Sequence, residues 1–314
     1  MTTYIIGHTK PDTDSVVAAM AMEFLAKNCK NKKYENPMAV IAEDLNPETK
    51  FLFEKFNVEK PRIISAEDIQ AEDQIVLVDH NEAFQRLAGM NNEQIIEIVD
   101  HHKMNINFSK PVDILVRTWG CSCSVIYHRM KMQALTPDKT LASLMLAAIL
   151  SDTVAFKSPT CTPKDKEMAT ELAQIAEITD LDSFAMEIFK AKSDVAKLSC
   201  EEIVKNDYKV FDFNAKKVLI DQVETVEQAA IITDKKDCLL QAMEKVKTAE
   251  AVDLIYVVIT DILKVNSKVL ILGADEEKIA LQAFGGKLID QTLDIGPKLS
   301  RKKEIAPALE QVLS

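Results

Sequence analysis

Three short segments of this chain run through a buried-strand pattern and end in side chains that bind metals. Tyr4-Ile5-Ile6-Gly7-His8 leads into Asp12 and Asp14, Ile75-Val76-Leu77-Val78 into Asp79, and Ile98-Val99 into Asp100-His101-His102. Open α/β sheets bind ligands at the carboxyl ends of their strands. A rim carrying His8, Asp12, Asp14, Asp79 and His101 is therefore a candidate two-metal site. Asp152, which leaves the apolar run 142–150, offers a fourth carboxylate.

Each signal has a duller explanation. A lone Asp-x-Asp before a helix is most often a cap. Here His8 stands four residues ahead of Asp12, and three potential ligands in seven residues exceed what a cap needs. A carboxylate ending a buried strand must be solvated, paired or metal-bound. His101 and His102 are adjacent and point in different directions, so one can bind metal while the other touches substrate. Asp100 could fix the tautomer of the ligating His, as outer-shell partners do. Four Asp and two neutral His form a hard, oxygen-rich set that suits Mn²⁺, Fe²⁺ or Co²⁺ better than thiol-bound zinc. The four carboxylates would offset two divalent ions. A polyanionic substrate then needs other cations, and Lys209, Arg301 and Lys302 can supply them.

Size and composition narrow the class. The chain has 314 residues, enough for two domains or one large α/β domain. A net charge of −11 argues against a nucleic-acid partner, since phosphate backbones reward clustered Lys and Arg. No apolar run approaches the roughly 20 residues of a membrane helix, so no membrane partner is expected. Met1-Thr2-Thr3-Tyr4 shows no charged leader, so no secretory signal is expected either. Cys29, Cys121, Cys123, Cys161, Cys200 and Cys238 are scattered, and read as reduced thiols of a cytosolic protein.

The elements that must position these residues alternate strand and helix. Strands are expected near 3–7, 38–42, 62–64, 75–79, 96–100 and 113–117. Helices are expected near 15–29, 47–56 and 83–96, and then at 122–132, 138–150, 164–177 and 182–190. That alternation predicts an α/β fold: an N-terminal, mostly parallel sheet with helices on both faces, over residues 1–189. A polar linker spans 190–195. A smaller C-terminal α/β domain follows over 196–314. It opens with a hairpin around Asn214-Ala215, then a helix near 236–249, strands at 253–260 and 268–272, and a helix near 275–284.

Taken in order, Gly7-His8, Pro11-Asp12-Thr13-Asp14, Val78-Asp79-His80-Asn81-Glu82, Asp100-His101-His102, Ser151-Asp152-Thr153 and Ser300-Arg301-Lys302-Lys303 resemble family II inorganic pyrophosphatases of the DHH phosphoesterase superfamily. The resemblance covers residues 4 to 303. It implies two Mn²⁺ ions, with Co²⁺ an alternative and Mg²⁺ arriving with pyrophosphate. His8, Asp12 and Asp79 would hold one ion. Asp14, Asp79, His101 and Asp152 would hold the other, with Asp79 bridging. His102, Lys209, Arg301 and Lys302 would bind the substrate phosphates. The implied reaction is hydrolysis of pyrophosphate to two orthophosphates by a two-metal-activated water, at a site between a DHH-type N-terminal domain and a substrate-binding C-terminal α/β domain, in a cytoplasmic homodimer. Lys10 stands where the family usually has Asn, and Glu304 replaces the usual Gln. The alternative is another DHH enzyme, an exopolyphosphatase or an oligonucleotide or dinucleotide phosphodiesterase. Those phosphodiesterases usually carry a Gly-Gly-Gly-His-like motif. Here there is only Phe284-Gly285-Gly286-Lys287, with no His beyond His128.

Overall fold

The computed structural model describes residues 1–29, 33–192 and 198–313. The chain divides into two compact units, Met1–Ala191 and Lys192–Ser314. The first contains, in order, β1 (Thr3–Ile6), α1 (Thr13–Asn28), β2 (Pro37–Ile41), α2 (Pro47–Lys55), β3 (Arg62–Ile63), β4 (Gln74–Val78), β5 (Ile95–Asp100), β6 (Asp113–Val116), α3 (Ser122–Met132), α4 (Lys139–Asp152), α5 (Pro163–Ala176) and α6 (Leu181–Lys192). Its six strands form one sheet in the order β3-β2-β1-β4-β5-β6, every pair parallel. Interior parallel strands are covered on both faces, so they read as unbroken apolar runs. All four residues of β1 are buried, as are Ile75 to Val78 of β4.

One face of this sheet, with Tyr4, Ile6, Val40, Ile75, Leu77 and Ile98, packs Ile69, Leu87, Met90, Ile106, Phe108 and Val112. The other face packs α1 and α3, and α4 lies on α1. Being enclosed, α1 is buried nearly all round, and it uses small side chains such as Ala18, Ala19 and Ala21 where neighbours approach.

The segment 83–96 is not the helix its composition predicts. It makes two single 3₁₀ turns, Ala83–Gln85 and Asn92–Gln94, before entering β5. Gly89 between them has φ of 81°, which ends any helix there. Of the polar segment 190–195, residues 190–192 are the last residues of α6 and 193–195 lie outside the described residues.

The second unit contains α7 (Cys200–Val204), β7 (Tyr208–Phe213), β8 (Lys216–Thr225), α8 (Gln228–Ala249), β9 (Leu254–Asp261), β10 (Asn266–Ile271), α9 (Ala274–Phe284), β11 (Leu288–Ile289), β12 (Thr292–Gly296), a π-type turn Arg301–Ile305 and α10 (Ala306–Leu313). The sheet order is β11-β12-β10-β9-β8-β7, with β8 and β9 parallel and the other pairs antiparallel. Strand β9 alternates between two cores. Ile255, Val257 and Ile259 face α8 residues Leu239, Met243 and Val246. Leu254, Tyr256 and Val258 pack with Ile279, Ala280, Ile305 and Leu309. Among the described residues, no helix is long and apolar enough to cross a membrane.

Two of the six cysteines depart from the expectation of reduced thiols. Cys200 of α7 and Cys238 of α8 form a disulfide, with Cα atoms 5.9 Å apart. Their 38-residue separation hides a pairing that depends on α7 docking against α8. Cys29, Cys121, Cys123 and Cys161 are free thiols.

A Cβ at Gly7 would sit 2.0 Å from Ser15 Oγ and 2.6 Å from Ser15 O, a clash between strand end and α1. Gly7→Ala is therefore expected to cost about 1–3 kcal/mol of stability, read as a lower urea midpoint. An unchanged midpoint would show that β1 and α1 have room to part. Thiol titration in denaturant without reductant should find the four free cysteines named above; six would mean that Cys200 and Cys238 are not joined.

Candidate metal centre

The parallel sheet delivers its ligand residues to one rim because β1, β4 and β5 are neighbours that end together. His8 follows β1 directly after Gly7. Asp12 is the N-cap of α1, where its Oδ1 accepts the Ser15 N–H at 2.9 Å. Asp14 lies in the first turn of the same helix, fully buried. Asp79 directly follows β4 with φ of 61°, a left-handed conformation costing on the order of 1 kcal/mol outside glycine. Its N–H still donates to Val99 O at 3.0 Å, so the turn is locked to β5. His101 and His102 follow β5, and Asp152 is the last residue of α4.

These side chains converge. Ligand atoms of His8, Asp12 and Asp79 lie within 4.8 Å of one another, as do those of Asp14, His101 and Asp152. Asp79 reaches both groups: its Oδ2 is 3.4 Å from His8 Nε2 and its Oδ1 is 3.3 Å from His101 Nε2. One carboxylate thus offers one oxygen to each side, the arrangement a bridging ligand needs. Asp12 Oδ2 lies 3.5 Å from His8 Nε2.

The histidine tautomers fit a cation. His8 Nδ1 donates to Thr9 O at 2.8 Å, and His101 Nδ1 donates to Trp119 O at 3.0 Å. Each ring therefore turns Nε2 toward the carboxylates, as metal-ligating imidazoles do. Asp100 does not serve His101 in this way. Its Oδ1 accepts from His102 Nδ1 at 2.9 Å, while Oδ2 accepts from Asn81 Nδ2 at 2.6 Å. His102 is thereby fixed with Nε2 as its free nitrogen, and its side chain is half exposed. His80 stays apart: it is buried, and donates from Nδ1 to Val78 O.

Sequence patterning missed Ser122. The N-terminus of α3 carries no side-chain cap of its own, and Asp14 takes that role from a distance. Ser122 N–H and Cys123 N–H donate to Asp14 at 2.6 and 2.9 Å, and Ser122 Oγ donates to Asp79 Oδ1 at 2.9 Å. A helix N-terminus aimed at a carboxylate stabilises its charge. The small residues Gly120-Cys121-Ser122 before a helix were the available signal.

Electrostatics show how much negative charge is gathered. Burial, then the charge of Asp79, pushes Asp14 up to about 6. Burial, then the charges of Asp14, Asp12 and Asp79, holds Asp152 well above the usual carboxylate range. Burial alone would lower both imidazoles, yet the hydrogen-bonded carboxylates override it. His8 rises to about 11 through Asp12 and Asp79, and His101 to about 9 through Asp79 and Asp14. Burial opposes the charge on Asp79 too, but His101 and His8 outweigh it and hold that carboxyl low. Without a metal the cluster keeps protons instead. Hard oxygen donors, imidazoles turned inward and unbalanced negative charge together fit a divalent cation such as manganese.

The cationic residues lie in the second unit. Lys209 is exposed on β7, and Lys302 is exposed on the π-type turn. Arg301 is held within its own unit, with Nη1 donating to Asp207 O and Nη2 to Asp207 Oδ1 at 3.0 Å. Glu304 orders this turn, since its Oε2 accepts the N–H groups of Leu299 and Ser300 at 2.9 Å. Lys10 has φ of 53°, a conformation in which Asn is favoured over Lys.

Residues 2–149 match the DHH family N-terminal domain, and residues 186–312 match the DHHA2 domain. The manganese-dependent inorganic pyrophosphatase of Methanocaldococcus jannaschii is 39% identical, with 98% of each chain covered. That of Methanothrix thermoacetophila is 37% identical, over 98% of this chain and 97% of its own. A crystal structure from Methanococcus jannaschii, assigned to family II inorganic pyrophosphatases, shares 36% identity with a TM-score of 0.64, covering 99% of each chain. An exopolyphosphatase-related protein from Bacteroides fragilis, at 15% identity and TM-score 0.51, shares the fold. The class is a DHH–DHHA2 protein with an Asp/His cluster at its strand tips. Within it, the chain belongs to the family II, manganese-dependent inorganic pyrophosphatases.

The protonated cluster predicts a pH dependence. His8 near 11, His101 near 9 and Asp14 near 6 bind protons that a metal must displace. Mn²⁺ affinity should therefore rise with pH from 6 to 9, by about tenfold per unit for each proton released. Calorimetry in buffers of different ionisation enthalpy counts those protons. Affinity that stays flat over this range, with no proton release, would contradict the charge balance.

Proposed function

We propose that this protein hydrolyses inorganic pyrophosphate to two orthophosphates, with manganese as its metal. The observation that carries the proposal is Asp79, whose two oxygens face two separate Asp/His groups. Near-complete overlap with relatives named for this activity supports it. We assign His8, Asp12 and Asp79 to one ion, and Asp14, Asp79, His101 and Asp152 to a second. Co²⁺ suits the same donors, and Mg²⁺ would accompany the substrate.

Bound metal supplies Lewis acidity, which lowers the pKa of a water and polarises phosphoryl oxygens. The chain's own residues do the rest. Asp79, held in its left-handed turn, fixes the spacing of the two groups. The Asp100 hydrogen bond raises the His102 pKa and engages Nδ1, which leaves Nε2 as the nitrogen to meet a phosphate oxygen. We assign Lys209, Arg301 and Lys302 to the remaining phosphate charge, Arg301 as a planar fork and the lysines as point charges. As the bridging P–O bond breaks, charge builds on the oxygen of the leaving phosphate, and a cation placed there acts most strongly in the transition state. A cytoplasmic homodimer that binds neither nucleic acid nor membrane belongs to the same proposal. The family resemblance and the charge of −11 support it.

The test is phosphate release from pyrophosphate with Mn²⁺, compared with tripolyphosphate and a dinucleotide. Pyrophosphate should be the preferred substrate. Asp79→Asn should lose more than the roughly 10–100-fold typical of an outer-shell change. Unchanged turnover in that variant removes the bridging role, and faster cleavage of either other substrate moves the protein to a different DHH activity.

A further inference from the structure

We infer that Glu48 is a positioning residue for the metal centre, tying the helix end that carries Asp12 and Asp14 to the helix end that carries Asp152. Glu48 lies in the first turn of α2, behind the Asn46 cap and Pro47. It is 2% exposed, although its residue type and place in a short helix mark it for solvent. Its Oε1 accepts from Thr13 Oγ1 and its Oε2 accepts from Ser151 Oγ at 3.0 Å. Thr13 stands between Asp12 and Asp14, and Ser151 directly precedes Asp152. Thr13 Oγ1 is also 3.0 Å from Thr49 Oγ1, and Thr13, Thr49 and Ser151 are all buried.

The geometry is that of a rigid spacer. The two carboxylate oxygens are a fixed distance apart, and each holds a hydroxyl one residue from a proposed ligand. The first turn of α2 favours a negative charge at this point. A buried carboxylate is a costly way to join two helices, and apolar packing often does as well or better for stability alone. What it adds is directional control over Thr13 and Ser151, hence over Asp14 and Asp152, which must approach each other against their own repulsion. Ligand sites need placement within about 0.5 Å. Glu48 meets Thr13 and Ser151 through their hydroxyls, and through these two neighbours it acts on the ligands beside them.

The inference rests on the metal assignment above, and its test does not use pyrophosphate. Mn²⁺ affinity of the metal-free protein is measured by calorimetry for Thr13→Val, Ser151→Ala, Glu48→Ala and Glu48→Gln, alongside the melting temperature of each without metal. Thr13→Val, Ser151→Ala and Glu48→Ala should each weaken Mn²⁺ binding by about 10–100-fold. Glu48→Gln keeps the length and can still meet both hydroxyls, so it should retain most of the affinity. Thr13→Val combined with Glu48→Ala should weaken binding no further than the worse single change. Should Glu48→Ala fail to fold, the two hydroxyl variants and Glu48→Gln decide. Melting temperatures that fall while Mn²⁺ affinity stays within twofold would make the network structural only and overturn the inference. Equal losses in Glu48→Gln and Glu48→Ala would overturn it as well, by making charge rather than geometry the cause. Normal affinity shifts in a protein that does not cleave pyrophosphate would leave the inference standing and defeat the proposed reaction instead.

Discussion

Mutual repulsion among carboxylates is the constraint that the first unit is built around. Asp14 and Asp79 are nearly inaccessible to water, and Asp12 and Asp152 face them from the ends of α1 and α4. Like charges a few ångströms apart in a buried site interact by several kcal/mol even at an effective dielectric of about 20. In the metal-free protein that repulsion is relieved by protons on His8, His101 and Asp152, and below about pH 6 on Asp14 as well. Divalent cations would relieve it more completely, because each brings two charges to donors already in place.

Holding such a cluster together needs support that is itself rigid. The parallel register of β1, β4 and β5 provides it first, by ending three buried strands on one rim. Gly7 lets the end of β1 lie against the start of α1. The N–H groups of Ser122 and Cys123 grip Asp14, so the dipole of α3 opposes part of the charge. The left-handed turn at Asp79 stores strain of about 1 kcal/mol, and the bond to Val99 keeps it from relaxing. Strain of this kind persists where the surroundings over-determine it, and it gathers at functional sites. The second unit follows a different plan, a mixed sheet between two helix layers, with Arg301 and Lys302 on a turn ordered by Glu304.

Much of the site was legible because buried parallel strands write themselves as apolar runs, and a charged residue at the end of such a run stands out. Ile75 to Val78 followed by Asp79 is the clearest instance. The helix expected near 83–96 was not, because Leu87 and Met90 have helical spacing yet bury themselves on the sheet from loops around Gly89. Helix α8 begins at Gln228, ahead of the expected 236, and Glu227 makes no side-chain cap to mark that start. Strand β12 carries Asp294 and Gly296 and lacks a continuous apolar run. The Cys200–Cys238 pairing and the burial of Glu48 depend on how helices dock, which no local spacing encodes. Asp100, expected to fix the tautomer of the ligating His, instead bonds the ring of His102, while Trp119 O serves His101.

Anomalous diffraction from crystals grown with Mn²⁺ and phosphate bears most directly on the central claim. Two manganese peaks should flank the Asp79 carboxylate, about 3.5–4 Å apart, with His8 Nε2 on one ion and His101 Nε2 on the other. A single peak, or a carboxylate of Asp79 turned away from both metals, would contradict the account.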